Sequence, residues 1–195
     1  MYCGQFRRIN NTHDNPGRRQ PDEAYRTIDK GVLFNYKGLA TPWEEPLVVY
    51  YMYRSNYVSP AKDPMVYIVS HTWADRFKTG RRQATIDVYS NCDSVLLYND
   101  ATDAESLGVP SRRPHGGLEA APCRWENRDI RYNVLRAVGY YKGKPVAEAI
   151  IVLNGLERAP HFDTLYADAQ PILKGEDSYS YLYRVNCGGD AYTDE

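Results

Sequence analysis

The sequence predicts a mainly β protein whose centre, residues 64–156, is an antiparallel β-sandwich of immunoglobulin type. Three observations predict it. Apolar and polar residues alternate with period two over 65–71 and 84–90, as in half-buried strands. Shorter apolar runs follow at 95–98, 135–141 and 146–153. Gly143, within Tyr141-Lys142-Gly143-Lys144-Pro145, marks a tight turn between the last two runs, hence a hairpin. Several short strands with frequent turn signals are the pattern of such a sandwich.

The elements are justified in chain order. NNTHDNPGRRQPDE, residues 10–23, has almost nothing apolar to bury and reads as a functional or disordered loop. Pro21-Asp22-Glu23 opens a short helix over 24–30, which Gly31 stops. Thr41 is placed to cap a second helix over 42–56, with Pro42 in its first turn and Glu44 and Glu45 at the positive end of its dipole. Pro46 unsettles the start of that helix, because a proline past the first turn removes a hydrogen bond and crowds the preceding turn. The run LVVYYMY, 47–53, is apolar nearly all round, so the helix is expected to be buried against something large. No other segment of the chain offers itself as that partner. Within the sandwich, residues 100–121 are polar and rich in proline and glycine and are expected as a surface loop. Residues 157–182 read as a linker.

Composition narrows the function. A formal net charge of −1 and a pI near 6.4 exclude the concentrated positive field of a nucleic-acid or membrane-surface binder. Short basic clusters, such as Arg18-Arg19, Arg81-Arg82 and Arg112-Arg113, are no longer than a pair. No apolar run is long enough to span a bilayer, and MYCGQFRRINN lacks the apolar core of a secretory signal. Cys3, Cys92, Cys123 and Cys187 form no C-x-x-C pair, so neither a structural zinc site nor any cofactor is expected. A Cys92–Cys123 disulfide is conceivable if their strands are neighbours. The chain holds 18 tyrosines against 4 phenylalanines and 3 tryptophans. Tyrosine suits sheet packing, interdomain seams and sugar-contacting surfaces alike.

Five blocks carry a resemblance by their order: YYMYRSNY (50–57), PMVYIVSHTW (64–73), IDVYSNCDSVLLYN (86–99), CRWEN (123–127) and LRAVGYYKGKPVAE (135–148). Together they resemble the region after the catalytic barrel in glycoside hydrolase family 2, the β-galactosidase-like group, where the last barrel helix leads into an immunoglobulin-like domain. The likeness extends outward. THDNPGRRQPDEAYRTIDKG and YKGLATP resemble the end of the (β/α)8 barrel, and YRVNCGGDAYTD (183–194) the opening of a malectin-like carbohydrate-binding domain. The resemblance therefore implies four segments: a loop and helix remnant of the barrel over 1–60, the sandwich over 64–156, a linker over 157–182, and the start of the malectin-like domain over 183–195. It also implies a periplasmic or secreted parent, an oligo- or polysaccharide substrate, and an upstream catalytic barrel as partner. One departure is visible: Asn99 is followed by Asp100 and a long insertion where the family has glycine and a short turn.

Candidate chemistry follows from both readings. A retaining glycosidase needs two carboxylates about 5 Å apart. In the family both are glutamates upstream of the region resembled, and nothing in this chain matches either motif. Glu23, Glu44, Glu45, Glu105, Glu119 and Glu126 read as caps or solvated charges. No catalytic residue is therefore expected in this segment. By resemblance, His13, Asp14, Asn15, Arg18 and Arg19 lie on the active-site side of the barrel and are the candidate substrate-binding residues, against a plain solvated loop. Cys92 in Asn91-Cys92-Asp93 is expected to pack as a small hydrophobe, since neighbouring Asp93 would raise its thiol pKa. His71 is expected in a structural hydrogen bond, and Trp73 and Trp125 in the core or its seam with the barrel. His115 and His161 show no metal spacing. Two rivals remain: a free-standing carbohydrate-binding sandwich using its tyrosines and tryptophans as a platform, and a plain immunoglobulin-type scaffold, which leaves 10–56 unexplained.

Overall fold

A computed structural model describes residues 10, 11, 13, 14, 34, 35, 38–77, 83–111, 121–165 and 180. The chain divides into two compact units, Met1–Phe162 and Asp163–Glu195, and nearly all described residues belong to the first. The expected helix over 24–30, the malectin-like opening at 183–195, Cys3, Cys187, Glu23, Glu119 and His115 lie outside the described residues.

In the first unit, two-residue strands β1 (His13–Asp14) and β2 (Phe34–Asn35) pair antiparallel. Helix α1 spans Val48–Tyr57. The sandwich strands are β3 (Val66–Val69), β4 (Gln83–Ser90), β5 (Ser94–Tyr98), β6 (Ser106–Gly108), β7 (Cys123–Asp129), β8 (Val134–Tyr141) and β9 (Lys144–Val152). They form a three-stranded sheet in the order β3-β4-β7 and a four-stranded sheet in the order β6-β5-β8-β9, every pairing antiparallel. Consecutive β4 and β5 fall in different sheets, as do β6 and β7. This is the crossing connectivity of an immunoglobulin-type sandwich.

Alternation builds the core. Ile68, Ile86 and Val88 from one sheet meet Val95, Leu97, Leu135 and Ala137 from the other, and Trp125 fills the space between them. Side chains one residue away point outward, which is the period-two geometry of a strand. The β8–β9 hairpin turns on Lys142 and Gly143, at φ 51° and 75°. Two successive positive φ values are those of the tight two-residue turn whose twist matches its strands.

Three expectations are corrected. The second helix begins at Val48, not Pro42. Pro46 has no N–H to give a helix, so 41–46 folds as a turn in which Glu45 N–H donates to Thr41 Oγ1, and the N-cap falls on Leu47 without a side-chain cap. None of its residues is buried, in line with the expectation that no segment of this chain is its partner. The predicted surface loop at 100–121 contains β6, a three-residue edge strand bulged against β5, too short to show period two in sequence. The six residues after Leu156 also differ from a free linker. Glu157 bridges to Tyr132, Ala159 N–H donates to Asn133 Oδ1, and Ala159 and Phe162 are buried. The compact unit accordingly runs to Phe162.

Candidate functional site

Of the five candidate substrate residues, His13 and Asp14 supply the backbone of β1, paired with Asn35 and Phe34. Asn15, Arg18 and Arg19 lie outside the described residues. Glu44 and Glu45 are exposed beside the turn before α1, and Glu105 and Glu126 are exposed in the sandwich. Among the described residues, no three histidine, cysteine, aspartate or glutamate side chains converge as metal ligands. No described helix is long and apolar enough to cross a membrane.

The corner at Asn91-Cys92-Asp93 is structural. Asn91 Oδ1 accepts from Met65 N–H at 2.8 Å while its Nδ2 donates to the carbonyls of Val58 and Asp63, both at 2.9 Å. One side chain thus ties the exit of α1 to the β4–β5 corner. Asp93 accepts from Lys142 N–H at 2.8 Å, joining that corner to the hairpin turn. Cys92 is a free thiol, so the conceivable disulfide between it and buried Cys123 is not formed. Burial pushes the Cys92 thiol pKa up, and the charge of Asp93 adds to the rise. A thiol so placed is a poor nucleophile at neutral pH.

The corner after β5 holds a second polar hub that sequence reasoning missed. Asn99 donates to the carbonyls of Tyr132 and Val134 and accepts from the N–H groups of Arg131 and Tyr132. Asp100 beside it is fully buried and contacts His161. The departure Asn99-Asp100 from the family pattern was the available signal.

Two surfaces remain as functional candidates, both on the outward side of β3-β4-β7. At one end sits α1, held through Tyr51, whose ring stacks on Tyr67 at 3.8 Å. Tyr50 and Tyr57 on the same helix, and Trp43 before it, are exposed. At the other end is a groove of about 480 Å3, lined by Val69, Ser70, Trp73, Thr85, Asp87 and Asn127 among others. Here the expectation for the tryptophans divides. Trp125 is wholly buried, whereas Trp73 is 59% exposed, because it lies in a turn beyond β3 and not on its inward face. His71 likewise lies past the strand: its backbone N–H donates to Tyr67 Oη and its ring stacks on Tyr67.

The Trp73 loop is braced from within. Arg76 donates Nε–H to the Trp73 carbonyl at 2.8 Å and Nη1–H to that of Val69 at 2.7 Å, and its Nη2 donates to Ser70. Its guanidinium carbon stands 5.7 Å from the centre of the Trp73 ring. Burial of this cation lowers its pKa from the usual arginine value. Asn154 holds the next residues, donating N–H to the Ala74 carbonyl and Nδ2–H to Asp75. Across the groove, Arg124 grips Asp87 through two bonds of 2.7 and 2.8 Å.

No protein-family model matches the chain. It is 32% identical over 124 residues to a protein of Formosa agariphila assigned as a β-glucuronidase, an alignment covering 62% of this chain. The chain spans about 14% of the length of that curated relative. Among solved structures, a β-glucuronidase of Parabacteroides merdae matches with 28% identity and a TM-score of 0.51, over 76% of this chain and 17% of the other. β-Glucuronidase 3 of Bacteroides uniformis matches with 26% identity and a TM-score of 0.51, over 74% of this chain and 16% of the other.

Proposed function

From homologues assigned as β-glucuronidases, matched over only a small part of their length, we propose that this chain is a C-terminal, non-catalytic portion of a glycoside hydrolase family 2 enzyme. Residues 1–60 close the catalytic barrel, 64–156 form the accessory sandwich with 157–162 packed onto it, 163–182 lead away, and 183–195 begin a malectin-like domain. The parent hydrolyses glycosidic bonds with retention, using two glutamates upstream of this segment. His13, Asp14, Asn15, Arg18 and Arg19 contribute to its sugar pocket.

The observation that carries this reading is α1. Ten residues are too few for a stable helix in water without tertiary packing, since nucleation is costly. Yet none of the ten is buried, and Tyr50 and Tyr57 are exposed with Trp43 close by in sequence. A helix of this composition needs a cover, and the catalytic barrel is the cover the reading supplies. The rival platform of two tryptophans loses Trp125 to the core.

Two measurements test the proposal. The purified chain is assayed on aryl β-galactosides and β-glucuronides, where no turnover above the blank is expected; clear turnover refutes the non-catalytic assignment. The chain is also titrated with a hydrophobic fluorescent dye, with and without Tyr50→Ser and Tyr57→Ser. Strong dye binding that falls in the double variant is expected, and absence of dye binding refutes the open docking face.

A further inference from the structure

We infer that the groove beside Trp73 is a saccharide-binding subsite on the sandwich, in which the Trp73 indole stacks on a pyranose ring. An exposed tryptophan alone would not carry this. Here the ring is mounted on a loop whose carbonyls at 69, 70 and 73 are all held by one arginine, and whose next two residues are held by Asn154. Such bracing fixes a large apolar ring in water with no contribution to the core, and prior ordering of a contact surface is what lowers the entropic cost of binding.

The surroundings match the two-sided chemistry of a sugar ring. A pyranose presents C–H groups on its faces and hydroxyls around its rim. The groove supplies an aromatic face with Val69 beside it, and Ser70, Thr85, Asp87 and Asn127 as polar rim groups. Its volume of about 480 Å3 lies within the range of small-molecule sites, about 300–1,000 Å3. Asp87 suits the role because Arg124 neutralises its charge through one bond to each oxygen, and a carboxylate with roughly four acceptor positions still has lone pairs for hydroxyl donors. A bulge aims Asn127 there. Between the Ala84–Arg128 and Ile86–Trp125 pairs, β7 has one residue more than β4, and Asn127 takes φ 53°.

The groove is also distinct from the helix surface. Tyr67 pairs with Tyr89 under α1, whereas Val69 pairs with Asp87 at the groove, two residues further along the same strands. The two surfaces therefore use different residues of β3 and β4. The choice of a saccharide over another flat ligand rests on the glycosidase reading above.

Affinity electrophoresis of the full 195-residue chain tests the inference, in gels containing laminarin, xylan, galactan, starch, polygalacturonate or chondroitin sulfate. At least one polysaccharide is expected to retard the chain. Trp73→Ala should weaken that retardation about tenfold, the order expected for losing one aromatic stacking partner, and Trp73→Phe should weaken it less. Thermal unfolding of both variants should match the parent chain, because the ring is not part of the core. Retardation that survives Trp73→Ala overturns the subsite while leaving the family reading standing. Retardation by none of the six overturns it as well. The non-catalytic assignment fails on different grounds, turnover of an aryl glycoside by the chain itself.

Discussion

Nδ1 of His161 lies 2.5 Å from Oδ2 of Asp100, sixty-one residues earlier in the chain. Asp100 is fully buried and also accepts from the backbone N–H groups of Ala101 and His161. The pair fastens the last residues of the first unit to the corner that follows β5.

The acid sensitivity of the fold should register this contact. Burial works to raise the Asp100 pKa, but the hydrogen bonds from His161 and Ala101 outweigh it, and the net shift is downward. A carboxylate depressed in the folded state contributes stability that is fully present above its unfolded value, about 3.9, and is lost as pH falls through the lower folded value. Replacing Asp100 with Asn removes that titration, so the stability of the variant should fall less steeply than wild type below about pH 4. Urea unfolding at a series of acidic pH values measures it; parallel curves would show that Asp100 does not couple to folding.

His161→Ala keeps the backbone bond to Asp100 and removes the ring. One charge-assisted bond to a buried carboxylate is lost, and a destabilisation of about 1–3 kcal/mol is expected at neutral pH. Denaturant midpoints decide the matter, and an unchanged midpoint would mean that water replaces the imidazole without cost.

Gly139 on β8 faces Cys92, and a Cβ built there would stand 2.6 Å from both Cys92 Sγ and Val66 Cγ2. Val66 is β-branched and cannot swing aside freely. Gly139→Ala should therefore cost about 1–3 kcal/mol by overpacking. Adding Cys92→Ala removes one of the two obstructing atoms and should restore part of the loss, a coupling that a double-mutant cycle isolates. Additive effects would mean that the crowding is relieved elsewhere.

Trp125 spans the two sheets. Its ring is fully buried and Nε1–H donates to the Gly108 carbonyl on β6 at 2.9 Å. Trp125→Phe leaves that carbonyl without its indole partner and should destabilise by about 1–3 kcal/mol. Loss of near-ultraviolet dichroism in step with a lowered unfolding midpoint is the expected result. A variant as stable as wild type would show that β6 is held by its ladder bonds alone.

The strands around Ile68, Ile86, Leu97 and Leu135 were legible in the sequence because alternation is local: each residue's side of the sheet follows from its neighbours two places away. The hairpin at Gly143 was legible for the same reason, since a positive φ at consecutive positions narrows the residues that can stand there. What distant parts of the chain do to one another was not. The start of α1 turned on whether Pro46 could enter a helix. The exposure of Trp73 turned on the strand ending at Val69, and the burial of Asp100 on His161 arriving from beyond β9. Sequence by itself located five of the seven sandwich strands, β3, β4, β5, β8 and β9, and left β6 and β7 unread. Tertiary structure alone decided which polar groups are buried and which aromatic rings are left in water, because burial is set by neighbours that only folding brings within reach.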